Sequence, residues 1–256
     1  MEDIKCIKQN ATESGDCGNG WEGWRFGNTL YIEYTGPLEY YFQDPYVPDD
    51  LMQIDCWDEN MKEEIETLIV SCVSCEGLGL GIALFQGWSN LKRIDILAPN
   101  AYYGTLDEAE LEKIDPYSSW NVDDHFEDIF FNLKKLTEIN MLEKDENCTV
   151  DGVIYDKECK TLVFCPRGRQ GHFSIPEGVE EIDAFAFREC RNLTSVTIPN
   201  SVKIVDMCAF DKCVNLRLTV PDSVTRIGKY AFKNVPHIIY HGPAQSDDNW
   251  GAKKRN

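Results

Sequence analysis

A repeat in residues 175–238 constrains the fold more than any other feature of the sequence. Its prolines lie 23 and 22 residues apart, and its Ala-Phe pairs keep the same two spacings. In each copy, apolar residues follow the proline after three and six positions. The positions are Pro176, Val179, Ile182, Ala186 and Phe187, then Pro199, Val202, Val205, Ala209 and Phe210, then Pro221, Val224, Ile227, Ala231 and Phe232. A fixed period with one apolar template per copy predicts a solenoid of stacked units.

These copies resemble the BspA-like leucine-rich repeat family, whose unit is similar to Ile-Pro-x-x-Val-x-x-Ile-x-x-x-Ala-Phe-x-x-Cys-x-x-Leu-x-x-Val-x-Ile. Cys190 and Cys213 occupy the cysteine position of the unit, and Val235 occupies it in the third copy. The Gly-Pro-Ala turn from Gly242 and the Trp-Gly-Ala-Lys segment from Trp250 are similar to the ends of gut-bacterial members. The resemblance implies a curved solenoid with a strand in each repeat, and it implies no reaction.

Two less regular copies precede the regular array, and both repeat its offsets of 3, 6, 9 and 11 residues from a phenylalanine. Between them, Thr105 and Glu108 form a capping box and Pro116 ends the pattern, which predicts a short helix over about residues 106–114. The two copies consist of Phe85, Trp88, Leu91, Ile94 and Ile96, and of Phe130, Leu133, Leu136, Ile139 and Met141.

Strand patterns flank the repeats. Residues 29–34 are rich in aromatic and β-branched side chains and predict a strand, which the resemblance places in an N-terminal cap that also contains Trp21 and Trp24. Two apolar segments, 152–155 and 161–164, enclose a polar turn and predict a β-hairpin. We also predict a final strand from residue 237 and a terminal plug formed by Trp250.

We therefore predict an α/β repeat protein: a β-rich, right-handed leucine-rich-repeat solenoid with a β-type N-terminal cap and an inserted β-hairpin. The predicted domains are a cap and connector at 1–62, degenerate repeats with a helical insertion at 63–145, the hairpin insertion at 146–172, regular repeats at 173–240, and a C-terminal cap or tail at 241–256.

The charge restricts the possible partners. With 44 Asp and Glu against 25 Lys and Arg, the net charge is −19, which argues against binding to nucleic acid or to an anionic membrane surface. The charge permits a basic protein partner, although a soluble acidic surface is the simpler explanation. Because no apolar run has the length of a membrane span or a secretory signal, we expect a monomeric, cytoplasmic protein, or a secreted or cell-surface one if a signal has been trimmed.

No cluster of residues predicts catalysis or a cofactor. Cys72 and Cys75 form a CxxC pair, but the second ligand pair of a structural zinc site is missing. The glycines at 77, 79 and 81 match neither the dinucleotide fingerprint nor a P-loop. The four histidines are scattered, and the acidic run 123–128 lacks a calcium-loop pattern. We therefore predict no enzymatic activity, no cofactor and no metal, and we interpret most of the 11 cysteines as scaffold thiols.

The remaining candidate site is one face of the repeat strands. Alternate residues of a strand point to opposite sides, so the apolar pairs Ile94/Ile96, Ile139/Met141, Val196/Ile198 and Leu218/Val220 are expected to point inward. The outward set is then Arg93, Asp95, Glu138, Asn140, Ser195, Thr197, Arg217 and Thr219. Ordinary solvated strands would show the same pattern, so both interpretations stay open.

Our leading interpretation is a non-enzymatic protein that binds a macromolecular, protein partner through this outward sheet face. For secreted relatives, the resemblance implies adhesion or binding to host proteins. An alternative from another class is an intracellular acidic protein that neutralises a basic partner, as an immunity-type protein would. The net charge and the expected cytoplasmic location motivate that alternative.

Overall fold

A computed structural model of the chain describes residues 6, 8–16, 21–34, 59–71, 88–97, 130, 132–141, 147–244 and 250–251. The chain forms two compact units. Unit 1 contains Met1–Asn132 and Met141–Glu143, and unit 2 contains Leu133–Asn140 and Lys144–Asn256. The expected helix at 106–114, Phe85, the CxxC pair, the glycine run and the acidic run all lie outside the described residues.

Unit 1 contains a mixed β-sheet in which the first strands are antiparallel and the later ones parallel. The first three strands form a meander, and the third pairs in parallel with the fourth, which pairs in parallel with the fifth. The elements are β1 (Glu13–Asp16), β2 (Trp21–Phe26), β3 (Thr29–Tyr34), α1 (Glu59–Glu64), β4 (Thr67–Ser71) and β5 (Arg93–Leu97).

The core of unit 1 follows from the register of its parallel strands. Leu30, Leu68 and Ile94 are aligned across β3, β4 and β5, and all three are fully buried. On the opposite side of the meander, Trp24 and Tyr31 are 5.5 Å apart between ring centroids, beneath the Lys8 ammonium group. The predicted strand at 29–34 is confirmed, and it is also the parallel partner of β4.

Unit 2 contains two sheets, and each regular repeat contributes one strand to each of them. The first sheet is parallel and has the order β10-β12-β14-β16; the second has the order β15-β13-β11-β9-β8-β7. The strands of the first are β10 (Gly171–Ser174), β12 (Leu193–Thr197), β14 (Arg217–Thr219) and β16 (His237–Ile239). Those of the second are β7 (Asn147–Val150), β8 (Val153–Asp156), β9 (Thr161–Phe164), β11 (Glu181–Ile182), β13 (Ile204–Val205) and β15 (Arg226–Ile227).

The predicted hairpin is present but larger than expected. β8 and β9 are antiparallel, and β7 adds a third strand at the edge. β9 then pairs in parallel with β11, where Leu162 aligns with Ile182. The hairpin therefore begins the second sheet. This pairing joins residues about 20 positions apart, and the local alternation of apolar residues carries no information about it.

The core of unit 2 consists of the repeated apolar positions. Phe173, Phe187, Phe210 and Phe232 form an aromatic ladder with centroid separations of 5.9, 4.8 and 5.8 Å. Cys190, Cys213 and Val235 are buried at equivalent positions, as expected from the repeat. The apolar positions of the repeat template and the residues predicted to point inward are buried, except that Ile227 in the last copy and Met141 are only partly covered. The fully or largely buried ones are Val179, Ile182, Val196, Ile198, Val202, Val205, Leu218, Val220 and Val224.

The repeats are also joined through their turns. Amide groups of one turn donate to carbonyls of the next, as from Phe187 to Ala209 and from Phe210 to Ala231, both at 2.7 Å. The last turn has no following repeat, and the C-terminal segment supplies the acceptor instead: the Phe232 amide donates to the carbonyl of Trp250 at 2.9 Å. The Trp250 ring packs edge-on against Tyr240. Trp250 thus satisfies backbone groups at the end of the array.

The predicted β-rich repeat solenoid is confirmed, with a six-residue helix, Glu59–Glu64, as the longest helix among the described elements. β6 (Glu138–Met141) carries the expected strand of the second less regular copy, and Phe130, Leu133, Leu136 and Ile139 of that copy are buried. Within the described part of the chain, no helix has the length and apolarity needed to cross a membrane.

Candidate partner-binding surface

The outward side chains of β10, β12, β14 and β16 form one continuous surface, which we call the polar sheet face. The strand register arranges them in two rows. The inward residue of each strand, such as Val196 or Leu218, belongs to the core, so the alternation of a strand directs its neighbours outward. The first row is His172, Ser195, Arg217 and His237, and the second is Ser174, Thr197, Thr219 and Ile239.

Hydroxyl groups surround the imidazole of His172 at one edge of the polar sheet face. Its Nδ1 atom is 2.8 Å from the hydroxyl of Ser195, and its Nε2 atom is 2.9 Å from that of Ser174. The Thr197 hydroxyl lies at 3.5 Å from Nε2. These hydrogen bonds fix the ring orientation on an exposed surface, and each of the three hydroxyls keeps at least one lone pair for a further hydrogen bond.

The polar sheet face contains no carboxylate, although the chain carries 44 Asp and Glu residues. Arg217 is exposed in its centre, and its guanidinium group forms no ion pair with any described residue. Six other described arginines contact a carboxylate. These six are Arg25, Arg93, Arg169, Arg188, Arg191 and Arg226. Arg217 is therefore a cation whose charge is not compensated within the described residues of an acidic protein.

The far edge of the polar sheet face adds an apolar group. Ile239 on β16 is 55% exposed, which is unusual for an isoleucine in a described strand of this chain. It follows Ser174, Thr197 and Thr219 along the second row. The face therefore offers a cation, several hydroxyls and one apolar contact, which are the groups from which a protein-binding surface is built.

A family model described as "BspA type Leucine rich repeat region (6 copies)" matches residues 157–241, the segment that contains β9 to β16. The chain carries a BspA-type leucine-rich repeat region. The match covers about a third of the chain and includes every strand of the polar sheet face. No curated protein matches the sequence significantly.

Several solved structures are similar in part. A leucine-rich repeat protein from Eubacterium ventriosum is 15% identical, with 91% of this chain and 73% of that one covered and a TM-score of 0.41. The pneumococcal vaccine antigen PcpA is 19% identical, with 69% and 44% covered and a TM-score of 0.39. A leucine rich cell surface protein from Faecalibacterium prausnitzii is 17% identical, with 94% and 58% covered and a TM-score of 0.33. This chain spans less than two thirds of the last two.

The leucine-rich repeat region brings together half of the outward residues predicted from the sequence. Ser195 is aligned with Arg217, and Thr197 with Thr219, on adjacent strands. Glu138 and Asn140 lie on β6, which is not a strand of this sheet.

The predicted residues Arg93 and Asp95 lie on β5 in unit 1, separately from the polar sheet face. They contact each other, because Nε of Arg93 donates to the Asp95 carboxylate at 2.9 and 3.0 Å. Each therefore compensates the charge of the other, in contrast to Arg217.

Four residues of the polar sheet face were missing from the outward set predicted from the sequence: His172, Ser174, His237 and Ile239. The sequence could have predicted His172 and Ser174. Phe173 and Ile175 precede Val196 and Ile198 by 23 residues, one repeat length, and form the same inward pair. Applying the alternation rule there would have placed His172 and Ser174 outward. The domain boundary predicted at 172/173 grouped His172 with the preceding hairpin and so concealed this register.

Several cysteine thiols of unit 2, among them Cys165, Cys190 and Cys213, belong to its core. Burial is the main cause that raises the pKa of the Cys165 and Cys213 thiols well above the ordinary value. The Cys213 thiol donates to the carbonyl of Phe187 at 2.9 Å. Among the residues with described placement, no group of three or more His, Cys, Asp or Glu side chains is arranged to hold a metal ion.

Proposed function

We propose that this protein is a non-enzymatic binding protein that recognises a protein partner through the polar sheet face of unit 2. The observation that carries the proposal is Arg217, an exposed guanidinium group that pairs with no carboxylate in the described part of the chain and lies at the centre of a surface without carboxylates. Stacked parallel strands supply a regular extended surface, which repeat proteins commonly use for recognition.

The charge of Arg217 also suggests the chemistry of the partner. A guanidinium group binds a carboxylate through two parallel hydrogen bonds, and such charge-assisted bonds are stronger than neutral ones. Here the partner's carboxylate would not compete with an intramolecular one. The neighbouring Ser195 and Thr219 would accept or donate hydrogen bonds beside it, and Ile239 would add an apolar contact. We therefore propose an acidic segment of a protein as the ligand.

The proposal is tested with a library of displayed linear peptides selected against the immobilised full chain. We expect the wild-type protein to enrich peptides that contain Asp or Glu beside an apolar residue. Arg217→Glu should weaken binding of the enriched peptides by at least about tenfold, because it replaces an attractive charge with a repulsive one. Raising the ionic strength should weaken binding to the wild type in the same direction.

Lys203→Glu is the matched control, because it makes the same change in net charge at an exposed residue just before β13 of the other sheet. It should bind the selected peptides like the wild type. Equal binding of the selected peptides by Arg217→Glu and the wild type would exclude the polar sheet face as the binding surface. Enrichment of basic peptides that tolerate Arg217→Glu would instead support the neutralising role that the net charge suggests.

A further inference from the structure

Two cysteines in the β7–β8–β9 meander lie in unusually close contact. The sulfur atoms of Cys148 and Cys159 are 2.6 Å apart, and neither is in a disulfide bond. This separation is only about half an ångström longer than a disulfide bond, which measures about 2.05 Å. Cys148 is buried on the edge strand β7, whereas Cys159 is partly exposed in the turn between β8 and β9.

The backbone around Cys159 is fixed by the preceding turn residue. The amide of Cys159 donates to the carbonyl of Asp156 at 2.9 Å, and the Asp156 carboxylate accepts from the amides of Lys160 and Thr161 at 2.6 and 3.0 Å. The Cys148 thiol donates to the same Asp156 carbonyl at 3.3 Å. Asp156 thus holds both the sulfur atom of Cys148 and the backbone of Cys159, so little conformational entropy remains to be lost when the two sulfur atoms join.

From this geometry we propose that Cys148 and Cys159 are a disulfide-forming pair that is oxidised by a low-molecular-weight disulfide such as oxidised glutathione. The cross-link would connect the edge strand of the second sheet to the β8–β9 turn across 11 residues. Formation of this disulfide does not depend on the polar sheet face, so its test is independent of the test of the proposed function.

The reaction consists of two thiol–disulfide exchanges. The more accessible Cys159, as its thiolate, attacks one sulfur of oxidised glutathione, forms a mixed disulfide and expels one glutathione thiolate. The Cys148 thiolate then attacks the Cys159 sulfur and expels the second glutathione thiolate. In total, the two cysteines lose two protons and two electrons, and one oxidised glutathione becomes two reduced molecules.

The remaining thiols of the repeat core are arranged differently. Cys190 donates to the carbonyl of Cys165 at 3.5 Å, and Cys213 donates to that of Phe187. All three cysteines are almost fully buried in the core of unit 2. Burial also raises the pKa of the Cys165 and Cys213 thiols. A thiol that stays protonated and covered is a poor nucleophile, so these cysteines should not exchange with glutathione.

A peptide map of the full chain tests the proposal. The protein is incubated with oxidised glutathione, its remaining thiols are alkylated, and it is digested with trypsin without reduction. Trypsin cuts after Lys144, Lys157 and Lys160, so Cys148 and Cys159 fall in separate peptides, 145–157 and 158–160. We expect these peptides to remain joined, with a mass two hydrogen atoms below their sum, and to separate on reduction.

The same sample should melt roughly 5–10 °C higher than the reduced protein, because closing a short loop restricts the unfolded chain. Cys159→Gly is the control variant, since the positive φ of 55° at this position suits glycine. It should fold and show no shift with oxidised glutathione. Recovery of peptides 145–157 and 158–160 separately, each alkylated or joined to glutathione, would overturn the proposal whatever the result for Arg217→Glu.

Discussion

At the scale of single residues, ion pairs between neighbouring repeats determine how unit 2 responds to pH. The Glu189 carboxylate lies 2.6 Å from the ammonium group of Lys212 and 3.4 Å from the guanidinium group of Arg191. The hydrogen bond from Lys212 is the main cause that lowers the pKa of Glu189 from its ordinary value of 4.5. Lys212 lies one repeat further along, so this pair connects two adjacent turns.

We predict that Glu189→Gln lowers the free energy of unfolding at pH 7 by about 0.5–1 kcal/mol, as expected for a partly exposed ion pair. A depressed pKa stabilises the folded state above the unfolded pKa, and this contribution is lost as the pH falls through the folded pKa. The difference between variant and wild type should therefore begin to shrink as the pH falls towards 4.5 and should vanish once the pH lies below the depressed pKa of the folded state. Urea unfolding of both proteins at a series of pH values from about 3 to about 7, which spans the titration of a carboxyl group, measures this difference in stability.

Glu177→Gln serves as the comparison for Glu189→Gln, because Glu177 is exposed and forms no ion pair within the described part of the chain. It should change stability little at any pH. A pH-independent loss in Glu189→Gln would mean that packing, and not the charge of Glu189, accounts for its effect.

The residues of the candidate surface were only partly predictable. Alternation within a strand placed Ser195, Thr197, Arg217 and Thr219 outward correctly, because that rule is local. The lack of an ion pair at Arg217 within the described residues could not be predicted, since several ion pairs of this solenoid join residues far apart in sequence. Arg226, for example, contacts Glu181, 45 positions earlier. Only the stacked register shows which arginines are compensated.

At the scale of elements, each repeat turn contains two residues in the left-handed backbone conformation. In every repeat, one of the two residues immediately precedes the Ala-Phe pair and the other lies two positions after it. None of the six is glycine, although a positive φ costs roughly 1 kcal/mol for most other residues. These residues are Phe185 and Glu189, Cys208 and Lys212, and Tyr230 and Asn234, with φ values between 54° and 67°.

Asn234 provides the clearest test of this turn geometry. Its φ is 67°, and its side-chain amide donates weakly to Asp211 at 3.4 Å. We predict that Asn234→Val lowers the free energy of unfolding by about 1–2 kcal/mol, because β-branched side chains disfavour this conformation. Asn234→Gly should stay within about 0.5 kcal/mol of the wild type. Equal destabilisation by both variants, measured by urea unfolding, would assign the effect to the lost hydrogen bond instead.

Element types were more predictable than element pairings. The strands at 29–34 and 161–164 follow from composition and alternation and have the predicted bounds. The helix expected at 106–114 lies outside the described residues and stays a prediction. β7 was missed because its sequence, Asn-Cys-Thr-Val, has too few apolar residues to indicate a strand. It forms because β8 supplies an edge on which it can pair.

At the scale of the whole chain, a segment outside the regular repeats completes unit 2. The amide of Gly168 donates to the carbonyl of Leu136 at 2.7 Å, and that of Ile139 donates to Gly152 at 3.0 Å. Both glycines allow a close approach: a Cβ atom at Gly168 would lie 2.4 Å from the backbone of Lys135. Residues 133–140 are thus part of the folded body of unit 2.

We predict that a fragment of residues 133–256 unfolds cooperatively, whereas one of residues 144–256 is destabilised by several kcal/mol. The shorter fragment lacks three buried side chains, Leu133, Leu136 and Ile139, each worth about 1.5–3 kcal/mol when buried. Thermal unfolding followed by circular dichroism, together with binding of a hydrophobic dye, compares the two. Identical melting curves would show that this segment contributes nothing to the stability of unit 2.

The repeat period predicted the architecture of unit 2 because every copy obeys one template. It could not predict the division of the chain into two units, since residues 133–140 belong to unit 2 and 141–143 to unit 1. That boundary depends on contacts such as Gly168 to Leu136, which join positions 32 residues apart.

The parallel register of β10, β12, β14 and β16 also determines how this surface can evolve. Each duplication of a 22- or 23-residue copy would insert one more strand and widen the surface by about 4.8 Å, the spacing of paired strands. Existing side chains would keep their relative positions while the surface lengthened. Recombination between the copies can therefore extend the polar sheet face without changing the residues already on it.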